Sequence, residues 1–318
     1  MTHQLAAGID IGGTNISYGL ITEDGKILAR DNVRTNDFSE PQKLVKKVSD
    51  GIRTLLSELN KNSFHELKGV RIGAPNGNYY TGAIEFAPNM NWKGIVPLAK
   101  YFSEELQTNA VLTNDANAAA FGEMIFGGAK NMKDFVFVTL GTGLGSGIVV
   151  NGKLIHGHDG FAGELGHIII EHEGRPCGCG RKGCLETYCS ATGIKRTYAD
   201  LLLSKHKKIN PEEKSTDAKY ICDKAIEGEP EALEAFRYTG EKLGYALADT
   251  VSILSPEAIF LFGGLAQAGD LIFNPTIEYF EKKVMHLYKN KVKIIPSQLK
   301  ENEAALLGAA ATIWQSPV

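Results

Sequence analysis

The sequence predicts an α/β fold with mixed sheets, arranged as two related halves. An apolar run, a glycine turn, a second apolar run and a hairpin signal occur in this order at the start of the chain and again near its middle. Apolar stripes at helical spacing follow each half. Because strands alternate with helices, and a terminal helix can return the chain to its first half, the pattern also predicts a cleft between the halves.

The first half opens with an apolar run at residues 5–10, which ends in an acid. A Gly-Gly-Thr turn at 12–14 separates it from a second strand-like run at 16–21, and an Asp-Gly pair at 24–25 is typical of a hairpin. A helix is predicted to begin near Pro41, where a missing N–H is harmless. Its apolar face comprises Leu44, Val45, Val48, Ile52, Leu55, Leu56 and Leu59.

The second half repeats the pattern, with an apolar run at 135–140, a glycine turn at 141–147, a short strand at 148–150 and an Asn-Gly hairpin at 151–152. A second helical stripe, a short strand and an Ala-rich helix follow. The stripe comprises Leu233, Phe236, Leu243, Leu247 and Val251, the strand covers 259–262 and the helix covers 304–314. We expect the Ala-rich helix to pack closely against a neighbour.

The composition is that of an ordinary soluble enzyme. With 318 residues, 43% of them apolar and 22% charged, the chain is long enough for two domains with separate cores. The net charge of -3 gives no reason to expect nucleic acid or an anionic membrane as a partner. The sequence shows no signal peptide and no transmembrane run, and its cysteine count of 5 is odd, so we expect a reducing, cytoplasmic location.

One imidazole and three thiols lie close together in the sequence, in His167, Cys177, Cys179 and Cys184. Tetrahedral zinc favours such nitrogen and sulfur ligands. Glycines between the cysteines strengthen the hypothesis, because a chain that turns tightly around a metal needs conformations that glycine adopts at little cost. The sequence therefore predicts a zinc site.

Two other interpretations apply to the cysteine segment. Disulfides are one, but the expected reducing compartment argues against them. The other is a dinucleotide-binding fingerprint, since Gly178, Gly180 and Gly183 match G-x-G-x-x-G. That motif requires a strand before it and a helix at its end, and neither pattern is convincing here, so zinc is favoured.

The two glycine turns follow strands, where backbone N–H groups can approach phosphate without an intervening side chain. Two facing turns could clamp the phosphate tail of a nucleotide, whereas either turn alone could be a plain tight turn. In the first turn, Asp10 could hold Mg²⁺ through water, and Thr14 offers a hydroxyl to a phosphate oxygen. A near match to a phosphate-binding loop at 147–153 is rejected, because Leu154 stands where the magnesium-binding Ser or Thr should be.

Residues 111–114 are typical of a strand that runs directly into an Ala-rich helix, with Asp115 at the junction. A carboxylate there could cap the helix, which is the common use of such an aspartate. It could instead point into the cleft and accept the proton of an attacking hydroxyl group. The residues alone leave both roles open.

These motifs together resemble the ROK family of sugar kinases and sugar-responsive repressors over nearly the whole chain. The resemblance is carried by Asp10-Ile-Gly-Gly-Thr14, Asn114-Asp115, Gly141-Thr-Gly143, Glu164-Leu-Gly-His167, Cys177-x-Cys179-Gly-x-x-Gly-Cys184-x-Glu186 and Gly263-Gly264. It implies an actin-like ATPase (ribonuclease H-like) fold, with two related α/β domains around a cleft. The smaller domain would hold residues 1–116 and 298–318, and the larger one residues 117–297.

Carried over position by position, the resemblance implies that Asp115 is the catalytic base and that ATP and a sugar meet in the cleft. The implied sugar-binding residues are Gly77, Asn78, Asn89, Asn114, Asp115, Glu164, His167 and Glu186. The implied ATP-binding residues are Asp10, Gly12, Gly13, Thr14, Asn15, Gly141, Thr142, Gly143, Gly263 and Gly264. The zinc would be structural, with one ring nitrogen of His167 on the metal and the other toward a sugar hydroxyl. His172 is the rival metal ligand.

The resemblance further implies ATP- and Mg²⁺-dependent phosphorylation of a hexose. Residues 88–92, Pro-Asn-Met-Asn-Trp, look most like those of the family's glucokinases, which would convert glucose to glucose 6-phosphate. N-acetylglucosamine, N-acetylmannosamine, fructose and allose are alternative substrates, and a sugar-responsive transcriptional repressor is the alternative class. We expect a kinase, because only seven residues precede Gly8 and no basic helix is available to enter a DNA groove. A homodimer is also implied.

Overall fold

The computed structural model describes residues 3–61, 63–87, 90, 92–205, 217–311 and 313–314, with the side chains of 301 and 302 excepted. Contacts between Cα atoms divide the chain into two compact units. Unit 1 comprises Met1–Met132, Leu154–Ala162 and Gln298–Val318, and unit 2 comprises Lys133–Lys153 and Gly163–Ser297. Each unit has its own hydrophobic core.

Groups of strands and groups of helices follow one another along the described chain. The strands are β1 (His3–Ile11), β2 (Asn15–Ile21), β3 (Ile27–Arg34), β4 (His65–Ala74), β5 (Gly77–Asn78), β6 (Ala83–Glu85), β7 (Ile95–Val96), β8 (Ala110–Asn114), β9 (Phe135–Leu140), β10 (Leu144–Val150), β11 (Lys153–Leu154), β12 (Ala258–Phe262) and β13 (Lys293–Pro296). The helices are α1 (Pro41–Leu59), α2 (Leu98–Leu106), α3 (Asp115–Ile125), α4 (Ala191–Ser204), α5 (Ala218–Ile226), α6 (Pro230–Leu254), α7 (Asp270–Lys283) and α8 (Glu301–Ala311).

The main sheet of unit 1 has the strand order β3-β2-β1-β4-β8. β1 pairs antiparallel with β2, and β2 pairs antiparallel with β3, whereas β4 is parallel to both β1 and β8. Residues 5–9 of β1 are buried without interruption, as expected for a central strand covered on both faces. A smaller antiparallel sheet is formed by β5, β6 and β7.

The main sheet of unit 2 has the order β11-β10-β9-β12-β13, which repeats the order of the first sheet position by position. β9 pairs antiparallel with β10 and parallel with β12, and β12 is parallel to β13. The prediction of two related α/β halves is therefore confirmed. In both sheets a glycine turn links the central strand to its antiparallel neighbour.

The predicted apolar stripes form the buried faces of two helices, with one exception. In α1, the first four stripe positions are buried and the last three pack partly buried against the unit 1 core. In α6, the prediction is wrong for Leu233, which is 41% exposed, whereas the other four stripe residues are buried. In the first turn of α6, the buried face instead carries Ala232 and Ala235.

The predicted Ala-rich helix forms as α8, which ends at Ala311, and it packs closely against α3. A Cβ atom at Gly122 would lie 2.8 Å from the Cα atom of Gly308, and one at Gly308 would collide with the carbonyl oxygen of Ala118. Such backbone-to-backbone contact requires glycine on both helices. The prediction of close packing is confirmed.

The compact units differ from the predicted domains at two places. The predicted boundary after residue 116 falls inside α3, and because α3 packs against α8, residues 117–132 group with unit 1. Residues 154–162 also group with unit 1. None of the described helices combines the length and the apolar composition needed to cross a bilayer.

Candidate active site

Two carboxylates lie at one edge of the unit 1 sheet. Asp10 is the penultimate residue of β1 and pairs in register with Gly73 of β4, while Asn114, the last residue of β8, pairs with Ala74. Asp115 follows directly and begins α3. Because β1, β4 and β8 are parallel, their carboxyl ends share one edge, where α/β proteins commonly bind ligands.

Asn114 caps α3, and Asp115 is not its N-cap. The Asn114 Oδ1 atom accepts hydrogen bonds from the backbone N–H groups of Ala116 at 2.9 Å and Asn117 at 3.4 Å. Of these two amides, Asp115 Oδ1 accepts from that of Ala116, at 2.8 Å. The capping role that the sequence left open for Asp115 therefore belongs mainly to its neighbour.

Burial shifts both carboxylates toward their neutral form. Burial, together with the charge of Asp115, raises the pKa of Asp10 from 3.8 to about 7. Burial also raises the pKa of Asp115, and the hydrogen bond from Ala116 N opposes this effect. A carboxyl group with a raised pKa is a better proton acceptor once it is ionised, which is the property required of a general base.

The first glycine turn joins β1 to β2 and is closed by backbone hydrogen bonds. Gly12 N donates to Asn15 O at 2.9 Å. Thr35 anchors the turn from outside, because its hydroxyl donates to Gly12 O at 2.7 Å and its N–H donates to Thr14 O at 2.9 Å. Thr14 and Asn15 are exposed. The role of Thr35 could not be predicted from the sequence, since no motif marks a residue that reaches the turn from 21 to 23 positions away.

The predicted sugar residues at 77 and 78 form β5, where both are buried. The Asn78 amide is used within unit 1: Nδ2 donates to Asp159 O at 2.8 Å, and Oδ1 accepts from Tyr80 N at 2.9 Å. The ring of His156 stacks on that of Tyr79 with centroids 4.1 Å apart. Asn78 thus holds the 154–162 segment against the β5 loop. The predicted sugar contact Asn89 lies outside the described residues.

Two glycine turns lie together at the carboxyl edge of the unit 2 sheet. The second glycine turn, Gly141–Gly143, follows β9 and is closed by a bond from Gly141 N to Gly143 O at 3.0 Å. Gly263 and Gly264 follow β12, the parallel neighbour of β9. Gly263 has a φ of 98°, and a Cβ atom there would lie 2.8 Å from Leu140 O, so only glycine fits.

The predicted zinc ligands come together in unit 2. One ligand atom from each of His167, Cys177, Cys179 and Cys184 lies within 4.8 Å of all the others. His167 Nδ1 is 3.6 Å from Cys177 Sγ, and Cys179 Sγ is 3.6 Å from Cys184 Sγ. All five cysteines are free thiols. His172 is exposed and is not one of the four clustered residues.

The spacing of the four ligand atoms fits tetrahedral zinc. Zn–S bonds of about 2.3 Å place two sulfurs of a tetrahedron about 3.8 Å apart, close to the separations in this cluster. The two ring nitrogens of His167 face different partners: Nδ1 faces the thiols, and Nε2 is 3.9 Å from Glu164 Oε2. This arrangement leaves Nε2 and the half-exposed Glu164 carboxylate beside one another.

Glu186 contacts both the cysteine cluster and the second glycine turn. Its Oε1 atom lies 3.5 Å from Cys177 Sγ, and its Oε2 atom accepts a hydrogen bond from Leu144 N at 3.2 Å. A side chain at Gly143 would collide with the same carboxylate. The sequence predicted Glu186 as a sugar residue and gave no sign of this second set of contacts.

Comparison with known proteins assigns the chain to a family. The sequence model of the protein family described as "ROK family" matches residues 6–316 of this chain. The chain belongs to the ROK family. Its predicted actin-like ATPase fold is confirmed, because ROK kinases of known structure, which have this two-domain fold, superpose on the chain over nearly its full length.

The ROK chain resembles both enzymes and regulators of its family. A glucokinase of Thermotoga maritima is 34% identical over 312 residues, which cover 96% of each chain. A xylose repressor of Bacillus spizizenii is 29% identical over 94% of this chain and 74% of its own length. The solved structure of a ROK family glucokinase from Streptomyces griseus in complex with glucose and AMPPNP is 32% identical, with a TM-score of 0.78, and the match covers 97% of this chain and 98% of that one.

Proposed function

We propose that this protein transfers the γ-phosphoryl group of ATP to a hexose and that glucose, converted to glucose 6-phosphate, is its preferred substrate. Two relatives that match nearly the whole chain at 32–34% identity are named glucokinases, and one of them was solved with glucose and an ATP analogue. The xylose repressors match at a lower identity. The kinase is therefore the better supported of the two family activities.

The observation that carries the proposal is the position of Asp115. Its carboxylate lies at the junction of β8 and α3, the cap of that helix is provided by Asn114, and burial raises its pKa. A carboxylate that is not the N-cap residue can align a sugar hydroxyl and accept its proton. In phosphoryl transfer the attacking oxygen bonds to phosphorus as ADP leaves, and the hydroxyl proton passes to the base late in the step.

The glycine turns would hold the nucleotide. The first turn offers exposed Thr14 and Asn15 beside Asp10, which would hold Mg²⁺ through water. The second turn and Gly263-Gly264 would hold phosphate and the nucleoside, since they present backbone without side chains. When bound, Mg²⁺ supplies charge neutralisation for the transferring phosphoryl group.

The residues proposed to bind the sugar lie in the capping turn of α3 and in the cysteine segment. Glu164 and His167 Nε2 lie 3.9 Å apart, so they can bond neighbouring hydroxyls on one edge of a sugar ring. Glu186 and Asn114 would add further contacts. Zinc on Nδ1 of His167 would fix the orientation and tautomer of the ring, which leaves Nε2 as the hydrogen-bonding atom toward the sugar.

A coupled assay of ADP release tests the proposal. We expect sugar-dependent ATP consumption with the highest kcat/KM for glucose among glucose, N-acetylglucosamine, N-acetylmannosamine, fructose and allose. A deoxyglucose that lacks the hydroxyl facing Glu164 should lose far more than tenfold in kcat/KM, because the bound sugar would cover polar groups that it leaves unpaired. Preference for an N-acetylated sugar would overturn the glucose assignment. ATP consumption that no sugar stimulates would favour the repressor class.

A further inference from the structure

A short stretch that begins at the last clustered cysteine also holds the second glycine turn. We call residues 184–192 the brace. Within it, Ala191 N donates a hydrogen bond to Gly141 O at 2.8 Å, and Thr192 Oγ1 donates to Thr142 O at 2.9 Å. Two successive carbonyl groups of the turn are therefore bound by two successive residues of the brace.

The third contact of the brace comes from its acidic side chain. Glu186 Oε2 accepts from Leu144 N at 3.2 Å, immediately after the turn, and its carboxylate fills the space where a side chain at Gly143 would lie. Glycine-rich backbone loses much conformational entropy when it is fixed, and it offers no side chains of its own to fix it. The turn consequently depends on these outside contacts for its geometry.

The other end of the brace is fixed in the cysteine cluster. Cys184, its first residue, is fully buried. Its backbone forms an isolated antiparallel β-bridge with Ile169, two residues beyond His167. Leu185 N donates to Ile168 O at 2.9 Å, and Leu185 is also fully buried. Residues 187–190 of the brace are buried as well, so a shift of Cys184 is passed along the brace toward Ala191 and the exposed Thr192.

We infer that the Cys₃His cluster sets the geometry of the second glycine turn through the brace, so that metal loading controls nucleotide affinity as well as sugar affinity. The inference rests on the proposed nucleotide site at this turn. Thr192 is then a positioning residue for the nucleotide. Sugar binding and nucleotide binding, which would otherwise be independent of one another, then both depend on the metal.

Calorimetric titration of AMPPNP without sugar tests the inference on zinc-loaded and zinc-depleted protein. We expect affinity to fall about 5-fold or more on depletion, since the loss of one well-formed hydrogen bond already costs about 1 kcal/mol. In loaded protein, Thr192→Val should weaken AMPPNP binding about 5-fold with an unchanged zinc content. In depleted protein the same substitution should have little further effect, because the contact is already lost.

The matched control is Ser204→Ala, which removes another hydroxyl of α4 that donates to a backbone carbonyl, Leu201 O at 2.8 Å. It should leave AMPPNP affinity unchanged. Equal affinity of loaded and depleted protein, or an equal effect of Thr192→Val in both, would overturn the inference.

Amide hydrogen exchange separates this inference from the proposed function. On depletion we expect faster exchange at Leu144 N, while the amides in the middle of α6 stay protected and so show that the unit remains folded. If exchange at Leu144 N became faster on depletion but the protein bound no AMPPNP, the proposed nucleotide site would be contradicted. The coupling between the Cys₃His cluster and the second glycine turn would still be supported. Unchanged exchange at the turn would overturn the coupling itself.

Discussion

At the scale of single residues, Asn114 and Asp115 have different tasks: the Asn114 amide caps α3, and the Asp115 carboxylate is the proposed base. Both are short polar side chains at the start of a helix, and both accept a hydrogen bond from Ala116 N. Only Asn114 also reaches the N–H of Asn117. The sequence could place this pair at a strand-to-helix junction, but it could not say which side chain caps, because that depends on backbone torsions at the junction itself.

Replacing Asp115 by Asn should lower kcat by about 100-fold or more, which is the typical cost of losing a general base. The amide is isosteric, so AMPPNP binding should be retained. Steady-state kinetics and calorimetry measure the two effects. Asp223→Asn is the matched control, since that carboxylate is 52% exposed in a surface pair with Lys219. A turnover within twofold of the native rate would leave Asp115 without the role of base.

The raised pKa of Asp10 gives the ligand-free protein a pH-dependent stability. The folded state holds this proton up to about pH 7, whereas the unfolded state releases it near 3.8, so the free energy of unfolding falls as pH rises through that window. Asp10→Asn should therefore be more stable than the native protein at pH 8, by at most about 4 kcal/mol. The difference should vanish near pH 4. Thermal unfolding without Mg²⁺ at both pH values measures it, and a native stability that rises toward pH 8 relative to the variant would contradict the prediction.

At the scale of elements, the two glycine turns have the same place in their sheets but different supports. The first is anchored by Thr35, at the end of β3. The second is anchored by the brace, which begins at a clustered cysteine. Sequence motifs revealed both turns, because glycine runs after apolar runs are visible locally. They could not reveal the anchors, since single threonines 20 to 50 positions away have no local signature.

Gly143→Ala and Gly141→Ala form a matched pair that tests the second turn. A methyl group at 143 would collide with the Glu186 carboxylate, whereas one at 141 meets no protein atom within 4 Å. We expect Gly143→Ala to break the bond between Glu186 and Leu144 N and to lower the Tm by about 2–8 °C, the range for a loss of 1–2 kcal/mol in a unit of this size. Gly141→Ala should stay within about 1 °C of native. Equal Tm values for the two variants would contradict the geometry of the turn.

At the scale of the whole molecule, the sequence predicted the fold class and the repeat, because the strand, turn, strand and hairpin signals recur in order. The metal ligands were equally visible, since three cysteines and a histidine lie within 18 residues. The exposure of Leu233 and the internal use of the Asn78 amide were not predictable. The first depends on which face of α6 is buried at its first turn, where Ala232 and Ala235 are buried. The second depends on Asp159, which lies 81 positions from Asn78 in the sequence. The homodimer and the cytoplasmic location stay predictions.

The contact of α3 with α8 should limit the stability of unit 1. In Gly308→Ala, the added methyl group would collide with Ala118 O, and neither helix can yield without disturbing the sheet between them and the core. We expect a loss of about 2 kcal/mol or more, seen as a lower midpoint in urea unfolding. Lys300→Ala, at a side chain 76% exposed just before α8, should leave the midpoint unchanged. If Gly308→Ala unfolded at the same urea concentration as the native protein, α3 and α8 would have to lie farther apart than the structure places them.

The discontinuity of unit 1 has a consequence for synthesis on the ribosome. α3 and β1 are made early, but α8, which covers them, follows all of unit 2 in the chain. Roughly 160 residues are translated in between, which takes on the order of 10–30 s. During that interval the apolar surface around Gly122 has no native partner within the nascent chain. The first unit to be translated is thus the last one able to finish folding, and until α8 emerges its uncovered face is open to chaperones and to aggregation.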